Sequence, residues 1–476
     1  MKNPDDKKIG KKKNTDHSLS RRQFISTAGA LTAGLLLNPA KKAHAASGQI
    51  LTAGPDVAVT QAFDYDDPAL IKQKVQHLFD SIGGISDVVS ADDKVAVKIN
   101  LTGGSSYAND QALQGYDITE AMWTHPAVLR AVCELLLDSG VSAENLYIVE
   151  AIWDMASFNN YGYKDVQDDL GIQLVNLNQS APYADFVEKS TGDSHFNYSA
   201  FTLNRILDEA DVYVSVPKMK QHYDAGVTHS MKNQIGITPL SYYGSGYRRH
   251  LHDKNGSENI RAYLPRSIVD LNLARPVNLC VIDGIMNAEG GEGVWIPTFT
   301  PSEYHLMLAG KDPVAVDAVC SWQMGNDPEA DKLALPGNRG GNDKECDNYL
   351  KLAGQIGMGT NILSEINLTG DGADQIHTFV EDHPDTPAPN SIHLFANWPN
   401  PFNGSTRIRF FVPESGSVSL HIYNSIGQKV VTLVDGTVGP GDHEYYWNAE
   451  NMPSGVYVAR LEAGIQIQTR TLTVQK

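Results

Sequence analysis

Hydrophobic and polar positions change rhythm along this chain. From about Ile50 to Val380, short apolar runs alternate with longer segments in which apolar residues recur at helical spacing. Lys94 to Ile99 reads as a strand that ends on Asn100 and the Thr102-Gly103-Gly104 turn. Pro126 to Ser139 reads as a helix. Val128, Leu129, Val132, Leu135 and Leu136 make its apolar face, Thr124 can cap it, and Gly140 closes it. Strands are predicted at Leu146 to Val149, Ile172 to Val175, Val212 to Val216, Leu279 to Ile282 and His305 to Leu308, and Asp312 and Pro313 open a helix that reaches about Met324. Strands separated by helices predict an α/β domain over 50–380, with a mostly parallel sheet and helices on both faces.

A polar, Pro-rich linker occupies 381–390, and beyond it the period drops to two. Thr406 to Val412, Ser417 to Tyr423, Gln428 to Val434, His443 to Trp447, Gly455 to Leu461 and Gln466 to Val474 alternate apolar and polar residues between turn signals. Strands this short and this closely spaced predict a small all-β, immunoglobulin-like sandwich over 391–476.

The front of the chain is an address. A Lys-rich stretch leads to Ser20-Arg21-Arg22-Gln23-Phe24, then to an apolar run from Ile25 to Leu37 and a small-residue site at Ala43-His44-Ala45. The adjacent arginines, with Lys41 and Lys42 just before the cleavage site, predict a twin-arginine (Tat) signal peptide over 1–45, and thus export by the Tat translocase to the periplasm. The apolar run is too short to span a bilayer stably, so no transmembrane segment is expected after cleavage.

The formal charge is -18, and the signal hides part of the acidity. It carries ten Lys and Arg against three Asp, so its removal leaves a body at -25. Such a surface repels nucleic acid, which is excluded as a partner. Cys133, Cys280 and Cys320 lie in apolar runs and read as buried free thiols, whereas Cys346, in a polar loop, is the candidate for reactivity or pairing. No C-x-x-C occurs, so ferredoxin, zinc-ribbon and thioredoxin spacings are absent, as are G-x-S-x-G and H-E-x-x-H.

Ligands of parallel α/β sheets bind beyond the carboxyl ends of strands, so residues just past each strand are the candidate chemistry. Lysines are scarce here, yet Lys98, Lys218, Lys220 and Lys232 all fall at such positions, and that pattern suits a small anionic ligand. Lys218, Lys220, His222, Asp283 and Glu150 are the catalytic candidates, because acids, His and Lys converge without structural need. Lys98, Asn100, Thr228, Lys232 and Asn233 are the substrate-binding candidates. Glu289 and Asp317 are candidate ligands for a divalent metal, while Asp312 is better read as a helix cap. An enzyme acting on a small anion, with or without a metal, a non-catalytic anion or metal binder, and a redox protein remain the three readings, and the sequence selects no reaction or cofactor.

Two resemblances add to this. Val97-Lys98-Ile99-Asn100-Leu101, Thr124-His125-Pro126, Val216-Pro217-Lys218-Met219-Lys220-Gln221-His222, Met231-Lys232-Asn233-Gln234-Ile235-Gly236, Val281-Ile282-Asp283-Gly284 and Asp312-Pro313-Val314-Ala315-Val316-Asp317-Ala318 resemble, in order, the domain-of-unknown-function 362 family (DUF362). That resemblance implies an α/β domain without naming a reaction. Many relatives carry a ferredoxin-like iron–sulfur module whose cysteines this chain lacks. Asn397-Trp398-Pro399-Asn400-Pro401-Phe402-Asn403, Val418 to Tyr423, Ser425-Ile426-Gly427 and Ser454-Gly455-Val456-Tyr457 resemble the type A sorting domain of type IX secretion, with Gly404 where a Pro is common. It implies passage through the outer membrane by the type IX machinery, to the cell surface or the medium.

Overall fold

The computed structural model describes residues 54–108, 112–113, 115–179, 185–244, 249–253, 259–336, 344–376, 392–394, 397, 402–413, 415–464 and 466–476. The signal peptide read at 1–45 and the linker at 381–390 lie outside them.

A ten-stranded sheet organises the first part of the chain. Its strands are β1 (Asp56–Gln61), β2 (Val95–Ile99), β3 (Leu146–Glu150), β4 (Gln173–Asn176), β5 (Val212–Val216), β6 (Lys218–His222), β7 (Gly226–Thr228), β8 (Leu279–Glu289), β9 (Thr300–Gly310) and β10 (Asn367–Thr369). The order is β10-β1-β9-β8-β5-β2-β3-β4, with β6 beside β8 and β7 beside β6. Six of the nine pairings are parallel, and the antiparallel ones are β1–β9, β8–β9 and β6–β7, so the sheet is mostly parallel. Alternate residues of the central strands enter two separate apolar clusters. Val95 and Val97 join one with helices α1 (Pro68–Ser81), α2 (Ile118–Met122) and α3 (Pro126–Asp138), and Ala96 joins the other with α5 (Ile260–Ala274) and α6 (Pro313–Gln323). Helices therefore cover both faces, which is why the central strands read as unbroken apolar runs.

Two strands differ from the sequence expectation. The Val212 strand does not end at Val216, because Pro217 lacks the N–H that would continue its ladder and the chain steps sideways to resume as β6 against β8. Likewise β8 runs past Asp283 to Glu289, with an irregular register between Gly284 and Met286. Asp283 therefore lies within a strand rather than beyond it.

The helix ends also correct one assignment. His125, not Thr124, caps α3, its Nδ1 accepting from the Ala127 amide at 3.2 Å. The Thr124 hydroxyl instead accepts from the Asn100 amide at 2.8 Å and donates to the Val216 carbonyl at 2.5 Å, tying the ends of β2 and β5 together. Asp312 caps α6 as expected. No helix among the described residues is long and apolar enough to cross a membrane.

Among the described residues the C-terminal strands pair antiparallel, with one isolated parallel bridge between Phe402 and Val474. A three-stranded sheet orders β11 (His393–Leu394), β12 (Ser405–Val412) and β15 (Gly441–Asn448), and a four-stranded sheet orders β14 (Lys429–Val438), β13 (Gly416–Asn424), β16 (Gly455–Ala463) and β17 (Gln466–Val474). Ile408, Phe410, Leu420, Ile422, Trp447, Leu461 and Leu472 fill a core of its own, as a β-sandwich requires.

Candidate functional site

Most of the residues picked from the sequence meet where β2, β3 and β5 end and β6 runs beside β8, in two buried ion pairs and one lysine without a carboxylate. Lys98, at the end of β2, pairs with Glu150, at the end of β3, at 2.8 Å, and also donates to the Ile99 carbonyl at 2.7 Å and to Asn233 Oδ1 at 3.2 Å. Asn100 donates to the same Asn233 oxygen at 3.2 Å. Glu150 balances the charge of Lys98 inside the fold, and the two neutral acceptors fix its direction. Its role is to hold Glu150, Asn100 and Asn233 together. Gly236 makes room for this pair, since a Cβ there would lie 2.5 Å from Lys98 Nζ and 2.7 Å from Glu150 Oε1.

The charge of Lys218 is likewise balanced by a carboxylate. It pairs with Asp283 at 2.7 Å, both wholly buried, and donates to the Tyr65 hydroxyl at 2.8 Å and the Met286 carbonyl at 3.1 Å. Tyr65 donates in turn to Asp283 at 2.7 Å, and the His125 amide donates to the other Asp283 oxygen at 2.8 Å. The Tyr65 and His125 rings stack with centroids 3.8 Å apart. Burial drives the Tyr65 hydroxyl well above the usual tyrosine range, with Asp283 adding to the shift, and keeps it protonated. Burial lowers the Lys218 ammonium despite the opposing pull of Asp283.

Lys220 differs from both. It is 0% exposed, and its ammonium meets only neutral oxygens: the Met122 carbonyl at 2.6 Å, and Thr102 Oγ1 and the Glu292 carbonyl at 3.4 Å each. Among the described residues no carboxylate lies within ion-pair distance of it. Burial pushes its pKa well below the lysine norm, and the neighbouring positive charge of Lys232 pushes it further. Across the β6–β7 ladder, Thr228 is the register partner of Lys220, so their side chains share a face. The Thr228 hydroxyl is buried and has no hydrogen-bond partner.

His222 lies two residues along the same strand. Its Nδ1 accepts from the Asp224 and Ala225 amides at 3.0 and 3.2 Å, which leaves Nε2 to carry the proton, 3.8 Å from Glu292 Oε1. Glu292 also accepts from the Tyr223 amide at 2.9 Å and from Trp295 Nε1 at 3.2 Å. The Trp295 ring lies against Gly103 and Gly293, where a Cβ would approach within 2.4 Å, and meets Tyr107 edge-on at 4.9 Å. The loops after β2 and β8 thus close over Lys220.

Among the described residues the two candidate metal ligands, Glu289 and Asp317, are engaged in hydrogen bonds. Glu289 accepts from the Tyr304 hydroxyl at 2.7 Å and Ser302 at 3.3 Å. Asp317 accepts from the Ser230 and Met231 amides at 2.8 Å each, capping the short helix α4 (Ser230–Asn233) that carries Lys232 and Asn233. Among the described residues no three His, Cys, Asp or Glu side chains gather as metal ligands. Asp317 is a positioning residue, and burial pushes its pKa up to about 8. Cys346 is also corrected: it is buried in a short strand, Glu345–Asp347, with its thiol pushed up to about 12.

Sequence reasoning missed Tyr65, Met122, the Thr124 bridge and Trp295. Met122 contributes through a backbone carbonyl, which carries no residue signature, and Tyr65 comes from the chain just after β1, far from the lysines in sequence.

This is a mostly parallel α/β protein with buried lysines and carboxylates at its strand ends, followed by a β-sandwich. Residues 95–322 match the domain of unknown function DUF362, and residues 396–475 match the secretion system C-terminal sorting domain. The chain thus carries a DUF362 domain ahead of a sorting domain that marks it for secretion by the type IX machinery, to the surface or beyond. The thylakoid-associated protein sll1697 of Synechocystis sp. is 24% identical over 279 residues, which is 57% of this chain and 75% of that protein. Among solved structures, the lactate racemase apoprotein from Thermoanaerobacterium thermosaccharolyticum is 13% identical with a TM-score of 0.28, covering 48% of this chain and 50% of its own. The chain therefore spans about half the length of that structure. An endo-beta-1,4-mannanase from Thermotoga petrophila is 10% identical at a TM-score of 0.16, covering 89% of this chain and 97% of its own.

Proposed function

We propose that the α/β domain is an enzyme acting on a small anionic substrate, seated between Lys220, Lys232 and Thr228. The protein would reach its place of work by Tat export to the periplasm and then by type IX secretion. The observation that carries the reading is Lys220, a wholly buried lysine with no carboxylate in ion-pair distance among the described residues. An unpaired buried charge costs several kcal/mol (roughly), so such a group is retained where a ligand or a lost proton compensates it. Thr228 adds a buried hydroxyl with an unused donor on the same face. Lys98–Glu150 and Lys218–Asp283 are the frame that fixes this seat, with Glu292 and His222 as the acid–base groups at its edge.

The test is a thermal-shift screen of the full-length protein against phosphate and small carboxylates. At least one anion should raise the melting temperature of the wild type. Lys220→Met should abolish that shift, whereas Lys164→Met, on an exposed helix, should leave it intact. Protection that survives Lys220→Met, or no protection by any anion, sinks the reading. Turnover distinguishes the enzyme from an anion binder: protection without consumption of any protecting anion favours the binder.

A further inference from the structure

We propose that one end of the C-terminal sandwich, marked by Ile426 and Val456, is where a protein of the type IX machinery grips this chain, through an apolar pocket with an acidic rim. The inference rests on the sorting role and names the part of the module that performs it. Ile426 is 75% exposed at the tip of the β13–β14 hairpin, and Val456 is 50% exposed at the start of β16. The register sets both at the same end of the four-stranded sheet. Asn424, the last residue of β13, lies opposite Tyr457, and Val456 lies opposite Thr473. The outer face continues there with Tyr423 opposite Val458. The apolar core closes on Ile422, Tyr457, Ala459 and Leu472, without Tyr423, Ile426, Val456 or Val458. A lone apolar side chain on a surface is ordinary, but several gathered at one end mark a contact.

The tip is held in shape. Asn424 Oδ1 accepts from the Ile426 amide at 3.2 Å and the Gln428 amide at 2.9 Å, and Asn424 Nδ2 donates to Gln428 Oε1 at 3.0 Å. Gly427, at φ 80°, completes the turn. Small polar residues serve such a turn as well as or better than a β-branched one, so Ile426 adds nothing to it. A preformed tip also loses little entropy on docking. Three segments that carry the sorting-domain resemblance meet at this end: Ser425-Ile426-Gly427, Ser454 to Tyr457, and Phe402, whose amide donates to the Thr473 carbonyl at 3.0 Å and whose carbonyl accepts from the Gln475 amide at 2.9 Å.

Charge selects the partner. Lys429, opposite Tyr423, and the C-terminal Lys476, whose amide donates to Ser454 Oγ at 2.9 Å, flank the patch and ask for an acidic rim around the pocket. Residues 391–476 carry six Lys and Arg against six Asp and Glu, so the module is neutral and the -25 of the chain after signal removal falls on the rest. An anionic lipid surface would repel that body, whereas a protein pocket need meet only the neutral end of the module.

The test is delivery of the full-length protein in a host that carries the type IX machinery, measured as the fraction at the surface or in the medium against that in the periplasm. Ile426→Ser with Val456→Thr should lower that fraction roughly tenfold or more, as losing two apolar anchors from a contact would. The melting temperature of the purified protein should hold. Ile426→Val, which keeps an apolar tip, should be delivered normally. So should Ile467→Ser, since Ile467 is 54% exposed but lies opposite Glu462 at the far end of the same sheet. Normal delivery of the double variant, or an equal loss with Ile467→Ser, overturns the proposal. If the double variant melts early, Lys429→Glu at its exposed position carries the test, and delivery indifferent to it overturns the proposal likewise. Binding of the wild type to phosphatidylethanolamine–phosphatidylglycerol vesicles that the double variant loses would overturn the protein partner in favour of lipid. Deletion of residues 391–476 separates the two readings. Delivery that survives the deletion removes the sorting role itself, whereas delivery lost on deletion but kept by the double variant removes only this contact.

Discussion

At the scale of single residues, the site is made of side chains that pay for burial by pairing, with Lys220 and Thr228 as the exceptions. His125 shows how far burial dictates protonation here. Desolvation lowers its pKa from 6.5 to about 4, against the pull of Asp283. Its folded pKa lies below the unfolded one, so the folded chain binds fewer protons in that window. The resulting stability is complete above pH 6.5 and is lost as the pH falls toward about 4. His125→Asn keeps a side chain that caps helices well and removes the titration. Denaturant midpoints measured across this window should therefore fall less steeply for the variant than for the wild type, and parallel slopes would show that His125 is not the titrating group. Identity was legible for Lys98, Glu150, Lys218, Lys220 and Asp283, because rare charges at strand ends stand out from an acidic surface. Role was not. Whether a lysine's charge is balanced inside the fold depends on which acceptors pack against it, and neither Tyr65 nor a backbone carbonyl is flagged by the strand pattern.

At the scale of elements, the central strands and helices α3 and α6 were legible because their apolar periods are clean and their ends carry Pro, Asp and Gly. Strand β6 was not, since Lys218-Met219-Lys220-Gln221-His222 looks like a polar loop until the partner β8 is known. Its pleat puts Lys218, Lys220 and His222 on one face, with Met219 and Gln221 on the other. Gly236 belongs to this scale as well, for it lets the turn after α4 lie against the Lys98–Glu150 pair. Gly236→Ala should force that pair apart and cost about 1–3 kcal/mol, read by urea denaturation. A neutral effect would mean that the turn shifts freely, and that the frame around Asn233 is softer than its hydrogen bonds suggest.

At the scale of the whole molecule, the separate cores of the α/β part and the sandwich set what truncation should do. Removing residues 391–476 takes away the sorting domain and one complete core. The remaining chain should keep a cooperative thermal transition and stay inside the outer membrane, as cell fractionation would show. Undiminished surface or medium levels would contradict the sorting role, and aggregation would show that the two parts fold together. The order of the parts was legible because each has its own period, 3.6 with buried strands and then two. The four cysteines carry a different consequence. Cys133, Cys280, Cys320 and Cys346 are all buried and free, Cys280 donating to Ser230 at 3.0 Å. With no covalent cross-link to make or break, the folded chain is indifferent to the thiol potential around it. It can mature in a reducing cytoplasm, cross into oxidising surroundings and meet reductants outside the cell, holding its shape at each stage by packing and paired charge alone.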